Sequence, residues 1–211
     1  MSHHVVVSLA SVFVLILILS AFLITNKKMR TARDAVVSIE DRFASVADRL
    51  LALKEVDDIY KIIGEEIHRV CENSFVLVDS YDSLYDQYYS KGIYGINRLV
   101  QKGIQMSDNY LNAAFKLDDG AKKILSSGRL TEFEGGLYRV TSGRLPKEIC
   151  REVESFFKMK KFYARGLISK GIMFGNVLII PIYGNDIPDK NKIEAGIALV
   201  SDALYKKLGS K

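Results

Sequence analysis

The sequence predicts an α+β domain with a central antiparallel sheet flanked by helices, preceded by one transmembrane helix and a coiled-coil-like helix. Three observations carry this. Val5 to Ile24 is an uninterrupted run of twenty uncharged, mostly apolar residues. Met29, Ala32, Val36, Ile39, Phe43, Val46, Leu50 and Leu53 alternate three- and four-residue steps. Beyond them, a helical pattern, two strand-like runs, shorter helices, a strong hairpin and a closing helix follow in the order of an α+β fold.

At about 1.5 Å per residue the first run reaches about 30 Å, the thickness of bilayer hydrocarbon. It lacks the basic n-region and small-residue cleavage site of a secretory leader, so an uncleaved anchor is expected. Lys27, Lys28, Arg30 and Arg33 follow it and no Lys or Arg precedes it. The positive-inside rule therefore places Met1 outside and the remaining chain in the cytoplasm, a single-pass protein of the cell membrane. The expected divisions are a short extracytoplasmic terminus (1–4), the span (5–25), a basic patch and linker helix (26–55), and a folded domain (56–208).

Of 30 Lys and Arg against 25 Asp and Glu, the juxtamembrane patch holds four cations, leaving 26 against 25 for the rest. Membrane lipid is therefore the expected partner of the basic patch. A folded domain without excess positive charge excludes the nucleic-acid-binding class. The two cysteines, Cys71 and Cys150, would face a reducing compartment and read as small buried apolar residues.

A 3.5-residue period over Met29 to Leu53 predicts a parallel homodimeric coiled coil. The other reading is one amphipathic helix lying on its own domain or along the membrane. Between Leu53 and Val56 the phase shifts, where the linker passes into the domain. Asp57 is placed to cap a helix carrying Ile59, Ile62, Ile63, Ile67 and Val70, ended by Asn73 and Ser74. Phe75 to Asp82 and Gln87 to Ile96 form an expected antiparallel pair. Short helices are expected at Asn97 to Lys102 and Ser107 to Ala114. Asp118 or Asp119 caps a helix through Leu125. Two short strands, LTEFE and LYRVTS, flank the Glu-Gly-Gly turn. Pro146 opens a helix over Lys147 to Phe157. Phe162 to Gly184 is a hairpin about Lys170-Gly171, whose second arm, Val177 to Ile182, should be a central strand ending near Pro181. Ile193, Ile197, Val200 and Leu204 mark a last helix from Asp189 to about Leu208.

Four stretches resemble a GAF domain, most closely the variety in archaeal membrane-associated sensor kinases: VDDIYKIIGEEIHRVCENSFVLVDSYD, DGAKKILSSGRLTEFEGGLYRVTSGRLPKEIC, FYARGLISKGIMFGNVLIIPIYG and IEAGIALVSDALYKK. The resemblance implies a six-stranded antiparallel sheet, entry and exit helices on one face, and a small-molecule pocket on the other. Such domains relay a ligand, a redox state or a partner's conformation through those helices. The sequence ends at Lys211, directly after the exit helix, and His68 is its one histidine beyond His3 and His4. No phosphoacceptor helix or ATP-binding domain is therefore expected, and kinase activity is not.

No catalytic or metal-binding pattern emerges, and no cofactor is expected. His3-His4 is too small a cluster for a metal site, and His68 reads as an ordinary histidine of the entry helix. Neither cysteine has the adjacent histidine of a bilin or haem attachment. Two cysteines are too few for the GAF-like methionine sulfoxide reductases. The Glu134-Gly135-Gly136 turn does not cradle phosphate. The candidate ligand-binding set is aromatic, Tyr94, Tyr138, Phe162, Tyr163 and Phe174, with Arg98, Arg139 and Arg165 as anion partners. The competing reading makes the aromatics core and the arginines solvated. The expected function is a membrane-anchored, non-catalytic sensor module that binds a small ligand or partner and signals in trans. The alternative is a tethered adaptor with a ligand-free domain.

Overall fold

A computed structural model describes residues 38–53, 58–95 and 114–209. The described residues hold six helices and six strands: α1 (Ile39–Ala52), α2 (Ile59–Val70), β1 (Ser74–Asp82), β2 (Gln87–Tyr94), β3 (Ala114–Phe115), α3 (Asp119–Ser126), β4 (Thr131–Glu132), α4 (Gly136–Val140), α5 (Lys147–Phe156), β5 (Tyr163–Ser169), β6 (Ile172–Pro181) and α6 (Lys190–Leu208). The strands form one antiparallel sheet in the order β3-β2-β1-β6-β5-β4. This is the α+β sheet expected from the sequence.

The two-residue turn at Lys170 and Gly171, both at positive φ (49° and 78°), closes the β5–β6 hairpin at the Ser169–Ile172 pair. That backbone matches the twist of paired strands, and Gly171 adopts it without a Cβ penalty. β6 lies between β1 and β5, is buried from Phe174 onward, and ends at Pro181, which pairs with Ser74. Proline lacks the N–H to continue a ladder, so its place at the strand end follows.

Each sheet face buries its own core, and the two sort by the period-two alternation of strand side chains. Val76, Val78, Leu167, Val177 and Ile179 meet α1, α2 and α6. Phe75, Tyr88, Ala164, Leu178 and Ile180 meet α3, α4 and α5.

The coiled-coil expectation is corrected over its described half. Phe43, Val46 and Leu50 are buried inside the same chain, with Phe43 against Gly196 of α6. Fully burying side chains of this size gains about 1.5–3 kcal/mol each, so this stripe is occupied and is not presented to a second copy. Lys192 pairs with Glu40 at 3.1 Å near the starts of α6 and α1, and Lys207 donates to the Leu53 carbonyl near their ends. The helices run parallel. Arg42 reaches Glu66 of α2 at 3.4 Å, and Arg69 holds the same carboxylate at 2.9 Å.

A second correction concerns LYRVTS, which is the helix α4 and a turn. Gly135 and Gly136 both take positive φ (103° and 65°), turning the chain sharply. Glu154 of α5 then accepts from the Leu137 amide, and Thr141 N–H closes a helical bond to the Leu137 carbonyl. A tertiary carboxylate at an unsatisfied helix N-terminus outweighs the short alternation of Leu, Tyr, Arg and Val. Asp118 caps α3 as expected, accepting from Ala121 N–H at 2.7 Å.

Among the described residues no helix is long and apolar enough to cross a membrane. The run Val5 to Ile24, the first half of the heptad stripe, Asp57 and the helices expected at Asn97 to Lys102 and from Ser107 lie outside the described residues. Ala114 belongs to β3.

Candidate functional site

Opposite the α1, α2 and α6 face, the sheet presents a row of three buried polar side chains in an otherwise apolar surface. Asp79 of β1 pairs in register with Ser90 of β2 on one side and Asn176 of β6 on the other. Ser90 Oγ donates to Asp79 Oδ1 at 2.8 Å, and Asn176 Nδ2 donates to Asp79 Oδ2 at 2.8 Å. Asp79 is 3% exposed and Asn176 1%. Burial raises the Asp79 pKa above the ordinary carboxylate value, opposed by the two hydrogen bonds and the charge of Arg144. The Arg144 guanidinium lies 3.9 Å from the Phe115 ring centroid, and its Nε donates to the Thr141 carbonyl.

Asn176 Oδ1 is buried and has no hydrogen-bond partner; among the described residues only His68 Nδ1 shares that condition. An unmet buried acceptor costs about 1–3 kcal/mol. Asp79 and Asn176 line a cavity of about 20 Å³ walled by Ala121, Leu125, Phe133 and Val140. That volume suits about one water molecule, and an organic ligand requires its walls to move. Phe115, Leu117, Ala164 and Leu178 also line the cavity, and so does Arg139. Arg139 stacks 4.7 Å from the Phe133 centroid and is clamped by both Asp118 oxygens at 3.1 Å. The guanidinium holds Asp118 below its ordinary pKa and its own is raised in return. One carboxylate thus caps α3 and ties α4 to it.

The expected aromatic set is divided between the faces. Tyr94, Tyr163, Arg165 and Phe174 lie on the α2 and α6 side. The Tyr94 ring packs on Gly64, and Tyr163 donates to Asp186 at 2.7 Å. Tyr60 donates to the Phe174 carbonyl at 2.7 Å. Arg165 donates to the carbonyls of Gly128 and Glu194, and burial lowers its pKa. It is a structural clamp and does not form an anion site with the other expected residues. Phe162 is core on the cavity side, and Tyr138 is half-exposed on α4 with Lys147 5.0 Å from its ring centroid. Only Arg139 of the weighed residues reaches the cavity; Arg98 lies outside the described residues. The physical reason is the strand period, which puts residues 163 and 165 on one side and 164 on the other.

The residues that were missed, Asp79, Ser90 and Asn176, had a signal. Asp79 interrupts FVLVDSYD and Asn176 interrupts IMFGNVLII, each a polar residue inside a strand buried on both faces. Cys71 and Cys150 are free and buried, and no group of metal-ligating side chains occurs among the described residues.

The GAF domain of an Acinetobacter phosphoenolpyruvate-protein phosphotransferase matches with a TM-score of 0.55 at 10% identity, over 81% of this chain and 95% of that one. The fold is GAF-like. A methyl-accepting chemotaxis protein fragment, residues 122 to 287, matches at 0.53 and 14% identity over 79% of this chain and 98% of that one. The chromophore-binding domain of a Stigmatella aurantiaca bacteriophytochrome matches at 0.55 and 11% identity, over 85% of this chain and 63% of that one. No protein-family model matches the sequence, and no curated protein does. At such identities the likeness is one of fold, so the finer resemblance to archaeal sensor kinases gains nothing from it. The GAF-like frame does bear out the six-stranded antiparallel sheet with α2 and α6 together on one face.

Proposed function

We propose that this chain is a membrane-anchored, non-catalytic GAF-like regulatory module, whose cavity over Asp79 and Asn176 takes a small polar ligand that donates a hydrogen bond. The observation that carries this is the unmet acceptor Asn176 Oδ1 in a buried polar row. Packing alone gives no reason for a carboxylate and an amide at the centre of an apolar sheet, because apolar residues of similar shape would avoid the desolvation. A donor that satisfies Asn176 Oδ1 gains the energy of a bond the free domain forgoes. Entry of anything larger than water displaces α3 and α4, which Asp118 and Arg139 couple, so occupancy becomes a shift of those helices. The readout passes to a partner in trans through the helices packed on the other face.

Native mass spectrometry of the detergent-solubilised chain tests this reading. The expected result is an adduct released on denaturation and absent from Asn176→Leu; bare masses in both, with saturating metabolite mixtures present, overturn it. A second reading, the tethered adaptor with a ligand-free domain, is favoured by the small cavity and would inherit the case.

A further inference from the structure

We propose that the end of the domain bearing Phe156 and Tyr183 docks on an anionic bilayer surface. The inference extends the anchored-module reading, but its contact is made by the folded domain itself.

Phe156 is 72% exposed and Tyr183 56%, and both rings meet Phe157, at centroid distances of 4.9 and 6.1 Å. Phe157 is buried and packs edge-on against Phe75 of β1 at 4.8 Å, so the pair stands on the core. The backbone holds Tyr183 outward. Its φ is 58°, sparsely populated for a bulky residue, and Lys158 beside it has φ 49°. Two backbone bonds fix the arrangement, from Tyr183 N–H to the Phe157 carbonyl at 2.6 Å and from Gly184 N–H to the Lys158 carbonyl at 3.2 Å. Backbone in this region persists only where the surrounding structure holds it, and here those bonds hold the ring in solvent.

The charges around the rings favour an anionic surface. Lys158, Lys160 and Lys190 are exposed. Of the neighbouring carboxylates, Asp186 is paired with Lys161, Asp189 caps α6 and Glu40 is paired with Lys192, leaving exposed Glu72 and, one turn before Phe156 on α5, exposed Glu152 against the three lysines and exposed Arg151. Aromatic rings among lysines suit the interfacial layer of a bilayer, where an apolar body and a polar rim are both accommodated.

Chain connectivity selects the membrane as the occupant. α1 begins at this same end: Glu40 meets Lys192 in the first turn of α6, and α6 begins six residues beyond Gly184. The residues expected to leave the bilayer, Asn26 to Ser38, join the domain there and can span at most about 45 Å when extended. The β1–β2 turn, with Leu84 88% exposed, lies at the other end, since Ser74 pairs with Pro181 and Ser80 with Gly175.

The chain has no tryptophan, so one introduced at either end reports alone. Full-length Phe156→Trp and Leu84→Trp are reconstituted into phosphatidylcholine vesicles with or without phosphatidylserine, each carrying a doxyl-labelled lipid. The expected result is several-fold stronger quenching of the tryptophan at 156 than at 84, a blue-shifted emission at 156, and loss of the difference without phosphatidylserine or with Lys158→Glu and Lys160→Glu. Equal quenching at both sites, or none at 156, overturns the proposal. Carbonate washing separates it from the anchor reading: a chain stripped by carbonate refutes the anchor, while quenching at 156 before the wash still reports docking.

Discussion

Asn176 on β6 spends its amide on Asp79 of β1, Nδ2 to Oδ2 at 2.8 Å, and leaves its own carbonyl oxygen buried at the cavity wall without a partner. The two residues therefore depend on each other unequally. Asp79 has a second donor in Ser90, whereas Asn176 has this one bond. The energetics of the row follow from that asymmetry.

Asn176→Leu strips a donor from a buried carboxylate and should destabilise the fold by about 1–3 kcal/mol. Asp79→Leu leaves Ser90 and the Asn176 amide unmet and should cost a similar amount. The double variant removes both ends of the bond, so its loss should be smaller than the sum of the single losses. Urea unfolding of the four chains checks this. Strict additivity would mean that the bond does not contribute to the fold.

The row also sets a pH dependence. Burial raises the folded pKa of Asp79, so the folded state holds its proton more tightly than the unfolded chain. Stability associated with this group is then greatest below about pH 3.9 and declines as pH rises through the folded value. Asp79→Asn has no such titration, so the wild-type chain should lose stability relative to it as pH rises above about 3.9. Asp86, Asp118 and Asp186 have the opposite sign, their pKa values lowered first by hydrogen bonds from Lys122, Arg139 and Lys161. Their contribution is present above about pH 3.9 and is lost on further acidification. Thermal melts of both chains across this range separate the two limbs.

Residues with one dominant local requirement were legible in the sequence. Lys170-Gly171, Pro146, the Asp118 cap and the Ile193-Ile197-Val200-Leu204 stripe each fixed an element that the structure retains. Residues whose role depends on the opposite face were not. Phe43, Val46 and Leu50 suit a coiled-coil seam and a groove on α6 equally well, because both demand the same helical stripe. Tyr163 and Arg165 looked suited to a pocket by side-chain type, and only strand phase turns them toward α6. Asp79 and Asn176 could have been picked out as polar breaks in buried strands, but their pairing required the β1–β6 register.

Asp118 joins α3 to α4, and the two functions of its carboxylate are separable. Asp118→Ala should cost about 1 kcal/mol through the lost cap. Asp118→Asn keeps the oxygen that accepts from Ala121 and should recover most of that loss. What remains is the ion pair with Arg139, about 0–1 kcal/mol and screened by salt. Chemical denaturation at low and high ionic strength distinguishes the contributions; equal losses for Ala and Asn would remove the cap from the account.

Cys71 is 2% exposed and Cys150 1%, and burial pushes the Cys71 thiol up to about 12. Burial also raises the Cys150 pKa. The thiolate is the nucleophile, so both should resist a disulfide reagent at pH 8 in the folded chain and react together on unfolding in urea. A fast-reacting thiol in the folded state would place that cysteine outside its core.

The packing of α1 on α6 is tested most directly at Gly196. A Cβ there would overlap the Phe43 ring, while the helical backbone at 196 accepts alanine without strain. Gly196→Ala should therefore act by overpacking, at about 1–3 kcal/mol, and relieve itself by displacing α1. Hydrogen exchange should show protection lost over Ile39 to Ala52 and retained in β6, whose ladders with β1 and β5 do not involve α1. Phe43→Leu in the same chain opens the space and should restore part of the protection. If the stripe of α1 instead served as a seam between two copies, alanine at 196 would leave α1 protected and Phe43→Leu would weaken it in both backgrounds. The sign of the interaction between positions 43 and 196 decides which helix α1 packs against.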